Sequence, residues 1–348
     1  MIIREKEPAN LEMPFGLLDG WITPNEQFYI RSHFPVPEVD FKSWRLKIEG
    51  AVAQPVEFSY NELRALPAKT LLATLECAGN SRVFLVPKVK GTQWELGAIG
   101  NAEWTGVSLG ELLRKAGTKE SALAVVLEGA DNGAIAEPPR PTGKVHFARS
   151  VPLGKAMDDV LLAFQMNGQP LPASHGFPLR AIVPGWYGVA SVKWLQRIIV
   201  VERPFNGYYE TVDYAFWEGG AAGSRLVPIT EMQVKAVIAR PGSNEAIAAG
   251  ETYRVSGAAW TGGADVVRVE LSTDGGGSWQ SASLGEEAAP HCWRLWEFDW
   301  QTPATPGRCT LLARATDSRG RIQPNERDPD RGTYMINHCL PIEVEIGR

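Results

Sequence analysis

The pattern of apolar residues changes near Leu226, and this change limits the possible folds more than any other feature of the chain. Before it, short apolar runs alternate with segments that carry helix start and stop signals. After it, in runs such as "ETYRVSGAAWTG" and "CTLLARATDSRG", apolar and polar residues alternate with a period of two. We therefore predict two domains, residues 1–225 and 226–348, because 348 residues are enough for two substantial cores.

The second domain is predicted to be an all-β sandwich of the immunoglobulin type. Its segment "STDGGGSW", residues 272–279, lies between two alternating runs. The Asp-Gly and Gly-Gly pairs in it supply the positive φ angles that hairpin turns need. Alternating strands joined by such turns are typical of a sandwich, although the Cys–Trp–Cys pattern of antibody domains is absent.

The first domain is predicted to be an α+β mixture. Short strands are indicated by "WRLKIEG", "TLLATLEC", "ALAVVLEG", "LRAIVPG" and "LQRIIVVE". Between them, "SYNELRAL" and "SLGELLRKAG" open with serine and close near a basic residue or glycine, which are signals for the ends of helices.

Charge and the amino-terminal sequence exclude several classes of protein. The formal charge of -5 does not favour binding to nucleic acid. The opening "MIIREKEPANLEMPFG" lacks the apolar region of a signal peptide, and no apolar run is long enough to span a membrane. We expect a cytoplasmic protein, or a periplasmic one if an export signal was removed.

The chain has four cysteines, none in a CxxC pair or at zinc-finger spacing from histidine. A structural zinc site is therefore not expected. Cys292 and Cys309 could face each other across neighbouring strands, but free thiols are favoured in a reducing cytosol.

Cys77 ends an apolar strand-like run and precedes the small, polar segment "AGNSR". It could be a nucleophile, a thiolate ligand to a metal, or a buried thiol without a chemical role. A nucleophile would need a base, and the spacing of the five histidines does not rank them for that role. The nearby Arg82 would be expected to lower the pKa of the thiol.

A second candidate site is "SHGFPLRAIVPGWYGVASVKWLQRI", residues 174–198. In it His175, Arg180 and Lys193 are interleaved with glycine and proline, a composition suited to a phosphate-bearing cofactor. The alternative is a pair of strands with solvated basic residues. In "FYIRSHFPVP", Arg31 and His33 occupy alternate positions of a strand-like run and so would share one face.

Four segments together resemble the sulfite oxidase family of molybdenum enzymes, in order and over both domains: "FYIRSHFPVP", "LECAGNSR", "LLAFQMNGQPLPASHGFPLRAIVPG" with "SVKWL", and "VVRVELSTDGGGSW". The resemblance implies that Cys77 is the one protein ligand to molybdenum. The other ligands would be the dithiolene of a single molybdopterin and oxo or water groups. A soft thiolate suits a metal that an organic cofactor supplies. The residues implied to surround the pterin and its phosphate are His33, Asp131, His175, Arg180 and Lys193.

The resemblance also implies a ring of side chains at the open face of the metal, formed by Arg31, Arg82, Trp94, Tyr214 and Arg331. Such a ring would concentrate a small oxyanion. Arg331 aligns only with an ambiguity of one residue. Vertebrate and plant members carry two arginines after the C-A-G-N segment, whereas this chain has Ser81 at the first of those positions.

The function implied by the resemblance is the two-electron oxidation of sulfite to sulfate by a homodimer. The sequence contains no CxxCH haem attachment motif, so we expect no haem and a separate electron acceptor such as a cytochrome. The alternatives are reduction of nitrate or an S-oxide on the same cofactor, a non-catalytic molybdopterin-binding paralogue, and a metal-free thiol enzyme at Cys77.

Overall fold

The computed structural model of the protein describes residues 1–136, 138–219, 223–286 and 289–347. Strands predominate in these residues, and the longest described α-helix has eight residues. None of the described helices is long and apolar enough to cross a membrane. The architecture is mixed α+β, as the sequence predicts.

The α-helices lie in the first domain, and both helices predicted from the sequence are present. Ser59 caps the first helix in a capping box, since its hydroxyl accepts from the Glu62 N–H and the Glu62 carboxylate accepts from the Ser59 N–H. Gly117 ends the second helix with a φ of 69°. The helices are α1 Tyr60–Ala65, α2 Leu109–Ala116, α3 Leu153–Asp158 and α4 Tyr208–Thr211.

The strands of the first domain form two larger sheets and two hairpins. They are β1 Ile2–Glu5, β2 Asn10–Glu12, β3 Arg45–Gly50, β4 Val56–Ser59, β5 Lys69–Glu76, β6 Ile99–Ser108, β7 Ala124–Ala134, β8 Lys144–Pro152, β9 Leu161–Met166, β10 Gln169–Pro170, β11 Arg180–Ile182, β12 Leu195–Val201, β13 Ala215–Glu218 and β14 Arg225–Pro228. One sheet has the order β10–β9–β6–β5, with β11 also paired to β9, and the other has the order β4–β3–β12–β7–β8.

The second domain is an immunoglobulin-like sandwich of two sheets. Its strands are β15 Lys235–Arg240, β16 Ala246–Ala248, β17 Thr252–Trp260, β18 Val266–Ser272, β19 Gln280–Ser281, β20 Ser283–Leu284, β21 Arg294–Gln301, β22 Gly307–Asp317 and β23 Ile342–Gly347. The sheet orders are β15–β17–β21–β20 and β16–β23–β22–β18–β19. The predicted hairpin is present, because Leu271 of β18 pairs with Gln280 of β19.

The two domains share buried apolar surface. The sandwich has its own core, which includes Val255, Val269 and Trp296. The main core of the first domain, however, continues to Trp260 and Trp293 of the second. The second domain is therefore packed against the first over a continuous apolar contact. The boundary near Leu226, a residue that lies in β14, stays a prediction.

One predicted strand is wrong. The segment "FYIRSHFPVP" makes only an isolated bridge from Ile30 to Leu11, and its residues 31–37 are irregular. The two prolines remove backbone donors that a strand would need. Arg31 and His33 nevertheless both line one cavity, described below.

Candidate functional site

Cys77 directly follows β5, and hydrogen bonds on both sides fix its backbone. Its N–H donates to the Ala98 carbonyl at 2.8 Å, and its own carbonyl accepts from the Asn80 N–H at 2.9 Å. The Asn80 side-chain oxygen accepts from the Ala98 N–H at 3.1 Å, which fixes the loop to the segment just before β6. The thiol is thus held in one place, and Cys77 is only 6% exposed.

The Arg82 charge lowers the pKa of the Cys77 thiol as expected, but it does not decide the net shift. Burial raises the pKa of the thiol, and the positive charges of Arg31 and Arg82 offset only part of that effect. The loop lies inside the protein, so desolvation of the thiolate outweighs the two charges. A group that stabilises the thiolate directly, such as a bound metal ion, would be needed to keep it ionised near neutral pH.

Cys77 lies at the wall of a cavity, which we call the inner cavity. Residues from both large sheets and from the loops between them meet there. All five side chains that the resemblance assigned to the pterin line it, namely His33, Asp131, His175, Arg180 and Lys193. Arg31 and Tyr214 line it as well.

Two cations of the inner cavity, the buried Arg180 and the half-buried Lys193, form no ion pair with a carboxylate among the described residues. Arg180 donates to the carbonyls of His175 and Ser191 at 3.1 and 3.2 Å, and its Nε has no hydrogen-bond partner. Lys193 Nζ donates to Ser32 Oγ at 3.1 Å and to the Ser174 carbonyl at 2.9 Å. A buried cation is costly unless it is paired, so this wall is suited to an anionic ligand.

The pKa shifts at this wall have the same physical cause. Burial and the Arg180 charge lower the pKa of Lys193 against the opposite effect of the nearby Asp131 charge, and burial lowers that of Arg180 to about 10. Burial and the same two cations lower the pKa of His175 to about 3. Burial raises the pKa of Asp131, whose Oδ1 has no hydrogen-bond partner. An anion bound beside Arg180 and Lys193 would offset the free-energy cost of desolvating both cations.

A second cavity opens beyond Cys77, and we call it the outer cavity. Arg31, Cys77 and Tyr214 line both cavities, so the two meet at the thiol. Arg82 and Lys90 line the outer cavity only. A small anion that reaches Cys77 from this side would therefore meet two arginines.

Arg82 is fixed by contacts with both domains. Its guanidinium donates to the Thr92 carbonyl at 2.7 Å and, from the second domain, to Thr333 Oγ1 at 2.8 Å. A Cβ at Gly79 would collide with Arg82 Nη2, so a larger residue there would displace the guanidinium. The arginine is only 4% exposed, which makes it a fixed donor rather than a solvated charge.

Tyr214 connects the two cavities through its hydroxyl. The hydroxyl lies 2.8 Å from His33 Nε2, and burial raises its pKa above the usual value for tyrosine. The phenol therefore stays protonated at neutral pH, and its proton can be donated to a ligand when His33 Nε2 is the donor of the bond between them.

Two predicted residues lie away from the cavities. Trp94 is fully buried and packs in the apolar cluster that contains Cys77, and it is not among the residues that line either cavity. Arg331 pairs with Asp328 at 3.0 Å and lies over the ring of Phe216. The expectation that Arg331 joins Arg31 and Arg82 is wrong for this structure, because its charge is already partnered outside the outer cavity.

Sequence analysis missed two residues of the second domain. Tyr334, three positions after Arg331, lines the outer cavity in its place. Lys235 is 1% exposed and pairs with Glu76, the residue before Cys77, at 3.0 Å. A lysine inside the apolar run "VKAVIA" was a signal for such a buried ion pair.

Comparison with protein families gives two matches that together span most of the chain. Residues 33–209 match the family described as "Oxidoreductase molybdopterin binding domain". Residues 227–337 match the family described as "Mo-co oxidoreductase dimerisation domain". The first match contains Cys77 and the five residues expected at the pterin.

Individual proteins similar to the chain include two sulfite oxidases. The chain is 37% identical to sulfite oxidase from Gallus gallus, over 94% of this chain and 73% of that protein. It is 38% identical to mitochondrial sulfite oxidase from Mus musculus, over 94% of this chain but only 62% of that protein. The crystal structure of the sulfane dehydrogenase SoxCD from Paracoccus pantotrophus matches with a TM-score of 0.83 and 29% identity, covering 99% of this chain and 88% of that one.

Proposed function

Because the chain belongs to the sulfite oxidase family of molybdopterin-binding oxidoreductases, we propose that it binds a molybdenum–molybdopterin cofactor in the inner cavity and oxidises sulfite to sulfate. The observation that carries the proposal is the meeting of two cavities at Cys77. One is lined by Arg180 and Lys193, which form no ion pair among the described residues, and the other has arginines suited to a small anion.

The residues of the inner cavity fit the cofactor chemically. Arg180 and Lys193 would neutralise its phosphate, since Arg180 is buried, Lys193 is half-buried, and neither forms an ion pair with a carboxylate of the described residues. The unpartnered Asp131 Oδ1 would accept from a pterin N–H, and His175 would complete the polar wall. Cys77 would hold the metal, because a thiolate is a soft ligand. When bound, the cofactor supplies the two-electron redox chemistry.

The residues of the outer cavity would bind and orient the substrate. Arg31 and Arg82 would donate charge-assisted hydrogen bonds to the oxygens of sulfite, and the protonated Tyr214 would donate from the same side. Because Arg82 is already fixed by Thr92 and Thr333, little side-chain entropy would be lost on binding. Sulfite and water would give sulfate, two protons and two electrons, which would pass to a separate electron acceptor.

The second domain would also mediate a homodimer, in keeping with the family that it matches. Sandwich domains present exposed sheet faces on which two-fold contacts readily form.

The proposed function is tested on the purified protein by molybdenum analysis together with dye-linked oxidation of sulfite. We expect molybdenum near one equivalent per chain and turnover with sulfite. Cys77→Ser should abolish turnover, because an alkoxide replaces a soft thiolate poorly, while Cys309→Ser, at a half-buried cysteine of β22, should behave as wild type. Reduction of nitrate or an S-oxide without sulfite oxidation would replace the proposal with the reductase alternative.

A further inference from the structure

Tyr334 lies at a point of the outer cavity where it contacts both substrate-binding candidates. Its ring stacks on the ring of Tyr214 with centroids 4.8 Å apart and an interplanar angle of 29°. The Arg82 guanidinium carbon lies 5.1 Å from the centroid of the same ring. Tyr334 is only 8% exposed, so the ring is a fixed wall rather than a mobile side chain. Through these contacts it sets the positions of both neighbours.

Asp213 places a carboxylate in the same cavity that is proposed to bind an anion. Unrestrained, this charge would repel a sulfur oxyanion. The Tyr334 hydroxyl donates to Asp213 Oδ1 at 2.8 Å, however, and this is a hydrogen bond to a charged acceptor. The bond holds the carboxylate in place and gives its Oδ1 a hydrogen-bond donor inside the cavity.

We propose that Tyr334 is a specificity-determining residue for sulfur oxyanions. Its ring positions Arg82 and Tyr214, and its hydroxyl restrains the Asp213 carboxylate so that a doubly charged substrate can approach the arginines. This inference rests on the proposed function, since it assigns the substrate class to the same site. Tyr334 acts through its neighbours and is a positioning residue rather than a catalytic one.

The test compares Tyr334→Phe, Asp213→Asn and the double variant in the full-length, cofactor-loaded protein. Tyr334→Phe keeps the ring but frees Asp213, so KM for sulfite should rise roughly tenfold while kcat changes less than about twofold. Asp213→Asn removes the charge, so the double variant should return to within about threefold of the wild-type KM. An unchanged KM in Tyr334→Phe, or a double variant as impaired as Tyr334→Phe, would overturn the inference.

A matched control is available in Tyr253, whose hydroxyl donates to Glu245 Oε1 at 2.7 Å in the second domain. It lines neither cavity, and Tyr253→Phe should leave both KM and kcat at wild-type values. A rise in KM for this variant equal to that of Tyr334→Phe would show a general effect of losing a tyrosine–carboxylate bond and would overturn the inference.

Calorimetric binding of sulfate separates this inference from the proposed function, because it needs no turnover. We expect sulfate to bind the wild type, to bind Tyr334→Phe roughly tenfold more weakly, and to regain affinity in the double variant. That pattern in a protein that does not oxidise sulfite would support the role of Tyr334 while refuting the proposed reaction. Absence of sulfate binding to the wild type would overturn the inference.

Discussion

Replacement of Lys235 by methionine should destabilise the protein through the loop that carries Cys77. Lys235 Nζ lies 3.0 Å from Glu76 Oε1 and 3.0 Å from Ser81 Oγ, and the side chains of the ion pair are 1% and 2% exposed. Glu76 also accepts from Trp260 Nε1 at 2.9 Å and from Asn80 Nδ2 at 3.1 Å. The carboxylate is therefore fully partnered, and Lys235 supplies its positive charge.

The expected magnitude follows from what remains after the substitution. Breaking a buried ion pair from one side costs about 3–5 kcal/mol, because a charge is left buried without its partner. The lower end applies to Lys235→Met, since two neutral donors still reach Glu76. For a chain of this length, about 3 kcal/mol corresponds to a fall in Tm of roughly 5 °C. Glu76→Gln combined with Lys235→Met removes both charges and should recover most of that loss.

The assay is thermal unfolding followed by circular dichroism on the two variants, with Lys69→Met as the control. Lys69 pairs with Glu111 at the same distance of 3.0 Å, but the side chains are 58% and 45% exposed. An exposed pair contributes little, so the control should melt within about 1 °C of wild type. The reasoning fails if Lys235→Met melts like the control, or if the double variant melts below Lys235→Met.

Two further predictions concern charge at the two cavities. Arg82→Met should raise KM for sulfite roughly tenfold to a hundredfold. Arg331→Met should match wild type, because Arg331 already pairs with Asp328. Equal impairment of both variants in steady-state kinetics would contradict this placement of the two arginines. The pKa of His175 is about 3 in the folded protein but about 6.5 in the unfolded chain. Between these values only the unfolded chain binds the proton, so the free energy of unfolding falls as the pH falls, by about 2 kcal/mol at pH 5. The urea midpoint of unfolding should therefore fall less between pH 7 and pH 5 in His175→Asn than in wild type. An equal fall of the midpoint in the two proteins would exclude the effect.

The sequence predicted those helix ends and turns that depend only on residues close to them in the chain. Ser59 and Gly117 mark helix ends because capping depends on residues within one turn. The hairpin at residues 272–279 formed because its turn needs positive φ, which Gly275 and Gly276 adopt at 72° and 97°. The cluster at the inner cavity came from resemblance, since short-range patterns alone left solvated strand charges as the alternative for Arg180 and Lys193.

The substrate side of the site was less predictable because its contacts cross between the domains. Arg331 aligns only with an ambiguity of one residue, yet the residue that meets Arg82 in the structure is Tyr334, three positions further along the chain. In the structure, the Arg331 guanidinium finds Asp328 three residues away in its own chain segment, and this local pair holds it outside the outer cavity. Tyr334 is left to contact Tyr214. A helical or strand period could not have indicated this outcome.

The same cross-domain contacts give the second domain a role besides the proposed dimerisation. Met335 donates its N–H to the Ala78 carbonyl at 2.7 Å, directly beside Cys77, and Lys235 and Trp260 partner the residue on the other side of the thiol. Each of these contacts joins residues more than 150 positions apart, so the loop would lose its partners if the sandwich were displaced. We infer that the geometry of Cys77 depends on the second domain. A variant that loosens this contact, such as Lys235→Met, should therefore lower the cofactor content as well as the Tm, whereas Lys69→Met should lower neither.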